Sequence, residues 1–511
     1  MSNAVSELYV RNFLLKLYIR EHIPLISLFS TENKKNISGY DQSIINFLNE
    51  KDISVGDTVN LIMHGDNNDN NEIAGILMPR YESSNKNHLV IKLKSGYNIG
   101  IDVSNITSMT KEIMLGQQLS SKNDSAYSSL SSNITILDKS KQDSDGGPLK
   151  NNKSLPRVAL ISTGGTIASK VDYRTGGVHA ALSAADLYTS VPELAKYAII
   201  DSEVLLSEYS ENLKPEHWTL IANKISEKVK SGLYHGIIIS HGTDTMHYTA
   251  AALSFALQNI PIPVVLVGAQ RSSDRPSSDA ALNLIGATIF ATKSEYSGVF
   301  VIMHYSSSDD IIACHLGTRV RKNHTSRRNA FESIDVMPIA LIKDDILEMR
   351  LKQQPRIKLQ NRNNNDINAR TNFLFRPNFD NRVILLKYYP GFNPDLIDHA
   401  IVMGYKAIVI EGTGLGHINR ECFSKIQKAI QFGVMVFMTS QCIRGRVRMT
   451  VYDTGRDLLN LGVIPLSDMT SETALVKAMW VLANSTNIEY IKKMMQENIA
   501  NEISPVIPIT D

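Results

Sequence analysis

A chain of 511 residues, 43% of them hydrophobic, has room for roughly three domains of ~100–200 residues and for sizeable cores. Its 53 basic and 51 acidic residues leave a formal net charge of +2, which excludes a broadly basic nucleic-acid-binding surface. Three cysteines (Cys314, Cys422 and Cys442) exclude a disulfide framework and paired metal-ligand spacing and fit a reducing cytoplasm, and no window reaches the ~20 apolar residues of a membrane span.

Residues 1–40 read as an N-terminal extension of open role. The apolar run from Leu8 is broken by Arg11, Lys16 and Arg20, unlike the core of a signal peptide. Residues 41–112 read as a small β-barrel, an interaction module. A short helix, Asp41 to Asn49, carries Ile44, Ile45 and Leu48 at helical spacing. Short strands follow at Val55–Ile62, Ala74–Pro79, Leu89–Leu93 and Ile99–Val103, with no helix between them and no catalytic constellation. Residues 113–154 are rich in Ser, Asn, Asp, Lys and Gly. Such a stretch cannot bury enough apolar surface to offset its ordering entropy, so a flexible linker is predicted.

From 155 to 352 strands alternate with helices. The strands are Val158–Ser162, Ile237–Ser240, Val264–Val267 and Val299–Met303; the helices are Pro215–Ser231 and Thr249–Gln258. This alternation predicts an α/β domain with a largely parallel, doubly wound sheet. A polar connector, 353–380, leads to a smaller α/β domain, 381–511. Its strands are Val383–Leu386, Ala407–Ile410 and Val434–Met438, with helices from Pro394, from Glu421 and from Ser471 to Leu482.

One device recurs along this part of the chain. An apolar strand stops in Thr163-Gly164-Gly165-Thr166, another in His241-Gly242-Thr243-Asp244-Thr245, and a third in Glu411-Gly412-Thr413-Gly414. Glycine permits a tight turn and close backbone approach, and open α/β sheets bind ligands at the carboxyl ends of their strands. A threonine hydroxyl is a weak nucleophile unless a base or network takes its proton. Asp244 supplies an acceptor beside Thr243, and Lys322, in a polar loop, is the candidate base. A close aspartate favours the charged lysine and opposes that role, while burial favours the neutral amine. The bland alternative is that Thr243 and Asp244 only cap the helix from about Met246. Cys314-His315 is a poor nucleophile–base pair, because adjacent strand residues face opposite ways. His64, His88, His399 and His417 are isolated. Gly412-Thr413-Gly414-Leu415-Gly416-His417 lacks the last glycine of a dinucleotide loop, so nucleotide binding is discounted.

Thr163-Gly164-Gly165-Thr166-Ile167 and His241-Gly242-Thr243-Asp244-Thr245 resemble the two signatures of the bacterial-type asparaginase/glutaminase family. The resemblance runs from about Leu155 to near the C-terminus. It implies an asparaginase-like, two-domain doubly wound α/β fold and amide hydrolysis through a covalent acyl-enzyme, with no metal or cofactor in this chain. The first-signature threonine falls on Thr163, the expected nucleophile. Thr243, Asp244 and Lys322 would form the supporting triad, and the acyl bond is left open between Thr163 and Thr243. Tyr173 matches the tyrosine of the family's lid, and Ser210-Glu211-Asn212 its substrate-binding serine and polar pair. Backbone N–H groups of Gly164, Gly165 and Gly242 are expected to line an oxyanion hole.

The β module ahead of the first signature, with Gly75-Ile76-Leu77-Met78-Pro79-Arg80 and Gly96-Tyr97-Asn98-Ile99-Gly100-Ile101, resembles the D subunits (GatD) of archaeal-type glutamyl-tRNA(Gln) amidotransferases. That family implies glutamine hydrolysis and transfer of ammonia to a second kind of chain, GatE. GatE would bind Glu-tRNA(Gln) and use ATP and Mg²⁺ to convert it to Gln-tRNA(Gln). A homodimer of this chain inside a cytoplasmic heterotetramer is implied, with no membrane attachment. Residues 1–38 and the stretches Gly116–Pro156 and Gln353–Asn372 exceed the family pattern. The rival readings are a free-standing L-asparaginase/glutaminase and a non-catalytic scaffold; the β module argues against the first and the intact site residues against the second.

Overall fold

The computed structural model describes residues 40–63, 71–78, 87–93, 98–111, 155–164, 169–171, 178–180, 191–271, 278–308, 310–362 and 372–505. The extension before residue 40 and the linker 113–154 lie outside the described residues. The described residues divide into two compact units, the first within 40–111 and the second within 155–505.

The first unit is one helix and five strands: α1 (Gln42–Glu50), β1 (Thr58–Met63), β2 (Asn71–Met78), β3 (His88–Leu93), β4 (Asn98–Asp102) and β5 (Ile106–Lys111). The strands pair antiparallel in the order β4-β3-β2-β1-β5, with no β4–β5 pairing among the described residues. The fifth strand goes beyond the four expected. Alternate residues (Val59 and Leu61, Leu89 and Ile91) turn to one face and pack with Ile44 and Leu48 of α1. Tyr40 fastens the helix to this sheet. Its hydroxyl donates to Met78 O at 2.7 Å and accepts from Val90 N–H at 2.9 Å.

In the second unit the strands are β6 (Arg157–Gly164), β7 (Ile199–Glu208), β8 (Gly236–Ser240), β9 (Pro263–Val267), β10 (Tyr296–His304), β11 (Ile312–Leu316), β12 (Val320–Lys322), β13 (Phe331–Ser333), β14 (Ala340–Lys343) and β15 (Ile346–Met349). The main sheet runs β15-β14-β11-β10-β9-β8-β6-β7. Its centre, β10-β9-β8-β6-β7, is parallel; β11, β14 and β15 add an antiparallel flank. Helices α2 (Pro215–Ser231), α3 (Met246–Ala256) and α4 (Ala280–Lys293) cover it. Successive residues of the central strands face opposite cores. Val158, Leu160, Ile238 and Val265 pack with Leu284 and Phe290 of α4. Ala159, Ile161, Ile237 and Val264 pack with Ile225 of α2 and Leu253 of α3. Strands covered on both faces read as continuous apolar runs, which is why these were visible in the sequence.

The remaining residues form a four-stranded parallel sheet, β16 (Val383–Lys387), β17 (Ala407–Gly412), β18 (Met435–Ser440) and β19 (Ile464–Pro465), in that order. Helices α5 (Asp395–Val402) and α6 (Phe423–Gln431) cover one face. On the other face α8 (Ser471–Asn484) packs both on this sheet and, through Trp480, against Phe255 of α3. Helix α7 (Asp453–Leu461) precedes α8, and α9 (Ile488–Gln496) follows it.

Two expectations are refined. Helix α3 begins at Met246 rather than Thr249. The connector is fastened at both ends: Gln360–Asn361 pairs with Tyr296–Ser297, Leu374–Phe375 pairs with Leu257–Gln258, and Trp480 Nε1–H donates to Arg376 O at 2.9 Å.

Candidate active site

The carboxyl ends of β6, β8 and β9 lie side by side, and each opens into a short turn. At the end of β6 the register with β7 shifts between Ser162 and Gly164. Thr163 thus sits at an irregularity in the ladder, only 1% exposed, and its hydroxyl donates to Ser240 O at the end of β8 at 2.9 Å. Gly164 follows at φ +104°, a conformation that disfavours side chains, and a Cβ there would collide with the Glu208 backbone. Gly165 and Thr166 lie outside the described residues, as does Tyr173.

The turn after β8 carries Thr243 and Asp244. Lys322 Nζ reaches both, donating to Thr243 Oγ1 at 2.9 Å and Asp244 Oδ1 at 2.6 Å. Lys322 ends β12, in the hairpin formed with β13, about 80 residues away in sequence and brought here by the antiparallel flank. The ion pair is lopsided: the lysine side chain is 9% exposed and the aspartate side chain 66%. Water screens the exposed carboxylate, so the bond to buried Thr243 is the better protected of the two. Because Thr243 accepts from an ammonium, its own hydrogen is free to point elsewhere. Helix capping does not account for this turn, since Thr243 and Asp244 take their bonds from Lys322.

His241 supports the turn from behind. It is fully buried, and burial pulls its imidazole down to about 4, so it is neutral near pH 7. The Gly242 carbonyl, 2.7 Å from Nδ1, can only accept, which places the proton on Nδ1. Nε2 then accepts from Thr249 Oγ1 at 2.9 Å, and Thr249 accepts from Trp218 Nε1–H at 3.1 Å. Thr245 Oγ1–H donates to Ser210 O at 2.7 Å and so brings the Ser210-Glu211-Asn212 turn alongside. Ser210 is buried there and Glu211 is exposed.

The turn after β9 is held by residues that sequence reasoning missed. Asp279 is buried and accepts from the N–H groups of Gln270 and Arg271 at 3.0 Å each. Asn283 donates to Gly268 O at 2.9 Å and to Asp279 at 3.0 Å, and its Oδ1 meets His304 Nδ1 at 2.6 Å. Asp279 occupies the N-cap position of α4, yet its side chain makes no cap bond and serves the neighbouring turn instead.

Cys314 and His315 are both buried. Burial raises the Cys314 thiol well above its usual range and lowers His315 to about 4, and His315 Nδ1 bonds Ser333 Oγ at 2.8 Å. Among the described residues no group of three or more His, Cys, Asp or Glu side chains is placed to hold a metal ion.

Residues 157–355 match the family of asparaginase N-terminal domains and 382–495 that of glutaminase/asparaginase C-terminal domains. Residues 53–110 match the GatD N-terminal domain. The chain is 44% identical to the D subunit of the glutamyl-tRNA(Gln) amidotransferase of Pyrococcus abyssi, over 90% of this chain and 97% of that protein. The corresponding D subunit of Sulfolobus acidocaldarius is 42% identical over 90% of this chain and 93% of its own length. Among solved structures, the thermostable L-asparaginase from Thermococcus kodakarensis is 35% identical, with a TM-score of 0.59 over 68% of this chain and all of that one. L-asparaginase I from Vibrio cholerae is 27% identical, with a TM-score of 0.58 over 69% of this chain and all of its own.

Proposed function

This chain belongs to the asparaginase family and, within it, to the D subunits of glutamyl-tRNA(Gln) amidotransferase, and from that premise we propose that it hydrolyses glutamine and passes the ammonia to a partner chain. The observation that carries the chemistry is Lys322 bound to both Thr243 and Asp244 beside Thr163 at the strand ends.

Thr163 Oγ1 attacks the side-chain amide carbon of glutamine. The hydroxyl proton passes through the Thr243–Lys322–Asp244 network to the amide nitrogen, the C–N bond breaks and ammonia leaves. Water then attacks the acyl carbon, the C–O bond to threonine breaks, and glutamate departs with the hydroxyl restored. As an ammonium, Lys322 orients Thr243 and stabilises negative charge. It takes a proton only after giving one to Asp244 or water. Turn N–H groups of Gly164 and Gly242 are the proposed oxyanion donors, each worth roughly 10²–10³ in rate. Ser210, Glu211 and Tyr173 are assigned to substrate binding by their match to the family pattern.

The partner in this reading is GatE, which binds Glu-tRNA(Gln) and uses ATP and Mg²⁺ to activate the misacylated glutamate for ammonia. The near-neutral charge of this chain supports leaving the tRNA mainly to that partner. Two copies of each chain would form a heterotetramer in the cytoplasm. The first unit favours this over a free-standing asparaginase, because it matches the GatD N-terminal domain.

The test is ammonia release from glutamine by the purified chain alone, with GatE, and with GatE plus Glu-tRNA(Gln). Release is expected to rise with partner and charged tRNA. Thr163→Ala is expected to lower glutamine-dependent amidation by at least about 10³-fold while ammonium salts still support it. Full activity alone, with asparagine preferred and no response to the partner, would return the chain to the free-standing asparaginases. Amidation from glutamine that survives both Thr163→Ala and Thr243→Ala would remove the catalytic assignment.

A further inference from the structure

The segment after α9, residues 497–504, bonds to the residues that lead into the strand carrying Lys322. Thr318 and Arg319 lead directly into β12. Thr318 Oγ1–H donates to Ala500 O at 2.8 Å. Arg319, completely buried, donates from Nε to Asn501 O at 2.7 Å and from Nη2 to Ser504 Oγ at 2.8 Å. It also donates to Asp468 O and Oδ2, both at 3.1 Å. On the other side of the chain, Thr473 Oγ1–H donates to Thr318 O at 3.0 Å. A single guanidinium thus binds four acceptor atoms on three residues just ahead of Lys322.

The segment is itself held by a second buried charge. Lys477 Nζ donates to Glu502 Oε1 and Glu497 O, each at 2.5 Å. The Glu502 carboxylate in turn accepts from Ile499 N–H at 3.0 Å and Ala500 N–H at 2.6 Å. Ala500 is the residue whose carbonyl receives Thr318. A continuous line of bonds therefore runs from Lys477 through Glu502 and residues 499–501 to Thr318, Arg319 and the hairpin.

We propose that Arg319 is a positioning residue, and that residues 497–504 form a strap which sets Lys322 against Thr243 and Asp244. Such a device complements the bonds that β12 and the residue ahead of it make elsewhere, from Arg321 Nε to Glu472 at 2.7 Å and from Ile334 N–H to Arg319 O at 2.7 Å. Lys322 stands on a two-stranded hairpin whose own ladder is only three residue pairs long, too little to fix a side chain by itself. Its target lies on a different turn, and a misplacement of about 1 Å at a reacting centre costs on the order of 10²-fold in rate. A buried arginine bonded in several directions over-determines where β12 begins. Lysine, a point donor, cannot reproduce that set of bonds.

This inference rests on Lys322 acting in glutamine hydrolysis, and its test separates the two ideas. Arg319→Lys and the milder Thr318→Val are each made in the full chain and, separately, in a Lys322→Met background, and kcat and KM for glutamine are measured in the complex with GatE. In the wild-type background Arg319→Lys is expected to lower kcat by roughly 10–10²-fold with KM within about twofold, and Thr318→Val by about two- to fivefold. In the Lys322→Met background both losses are expected to shrink to about onefold, because residues acting through one another are not additive. Equal fold-losses in the two backgrounds, or an unchanged kcat with only a lower Tm, would overturn the proposal and make the strap a purely structural brace. If Lys322→Met alone leaves glutamine hydrolysis unchanged, the reading of the site fails, and the strap loses its role in catalysis with it.

Discussion

Gly268 has no side chain because Thr243 fills the space. A Cβ at residue 268 would stand 2.8 Å from Thr243 Cγ2 and 2.9 Å from His241 O. Gly268→Ala must therefore turn the threonine or push the two strand ends apart. Overpacking of this kind costs about 1–3 kcal/mol, and turning Thr243 breaks its 2.9 Å bond from Lys322. The expected outcome is a folded protein with a modestly lower Tm and a kcat for glutamine reduced by at least tenfold; an unchanged kcat would show that Thr243 can move without cost. Thr163, Thr243, Asp244 and Lys322 were legible as residue types because each sits in a motif or a polar loop with chemistry of its own. Asp279, Asn283 and His304 were not, since nothing local marks them. They matter through burial and through bonds between residues 15 to 21 positions apart, which only the fold brings together.

Helix α8 is the element that joins both halves of the catalytic unit. Its Thr473 reaches Thr318, its Trp480 stacks on Phe255, and its Lys477 anchors the strap. Lys477 and Glu502 are both fully buried, and desolvation lowers the lysine pKa against the pull of the glutamate. Removing one partner of such a pair typically costs ~3–5 kcal/mol, because the other charge is left unpaired. Lys477→Met is expected to lower Tm strongly in thermal unfolding, and Lys477→Met combined with Glu502→Gln to recover part of that loss. A double variant no better than the single one would mean that the bonds to Met495 O and Glu497 O matter more than the ion pair. At this scale the sequence was legible wherever a strand was apolar throughout. Helix α4 was missed for the converse reason: Ala280–Lys293 is small, apolar and buried on nearly every side, so no helical period shows. Strands β11, β14 and β15 were missed as well. They are only four or five residues long, and the strand–helix alternation ahead of them drew the reading towards a largely parallel sheet with no antiparallel flank.

Across the whole catalytic unit, His241, His247 and His315 are each pulled by burial from 6.5 to about 4. In the unfolded chain all three titrate near 6.5, so between pH 6.5 and about 4 the unfolded state binds protons that the folded state refuses. Their contribution is fully present above pH 6.5 and is lost as pH falls through that window, at up to ~1.4 kcal/mol per pH unit for each histidine. Tm is expected to drop steadily from pH 6.5 towards 4.5. His315→Asn keeps a polar partner for Ser333 while removing one titration, and it is expected to flatten the slope; an equal slope would locate the acid sensitivity elsewhere.

The bonds that complete the site span long stretches of chain: 77 residues from Thr163 to Ser240, 79 from Thr243 to Lys322, and 182 from Thr318 to Ala500. During synthesis the central strands can pair and bury their cores long before residues 497–504 leave the ribosome. The lysine hairpin is then the last part of the site to be seated, and its bonds to the strap wait for a segment made nearly two hundred residues later. Contacts of such high order form late. A growing chain would therefore carry folded central sheets with an unseated lysine, and the Lys322–Thr243 contact would be fixed only after residues 497–504 had been made.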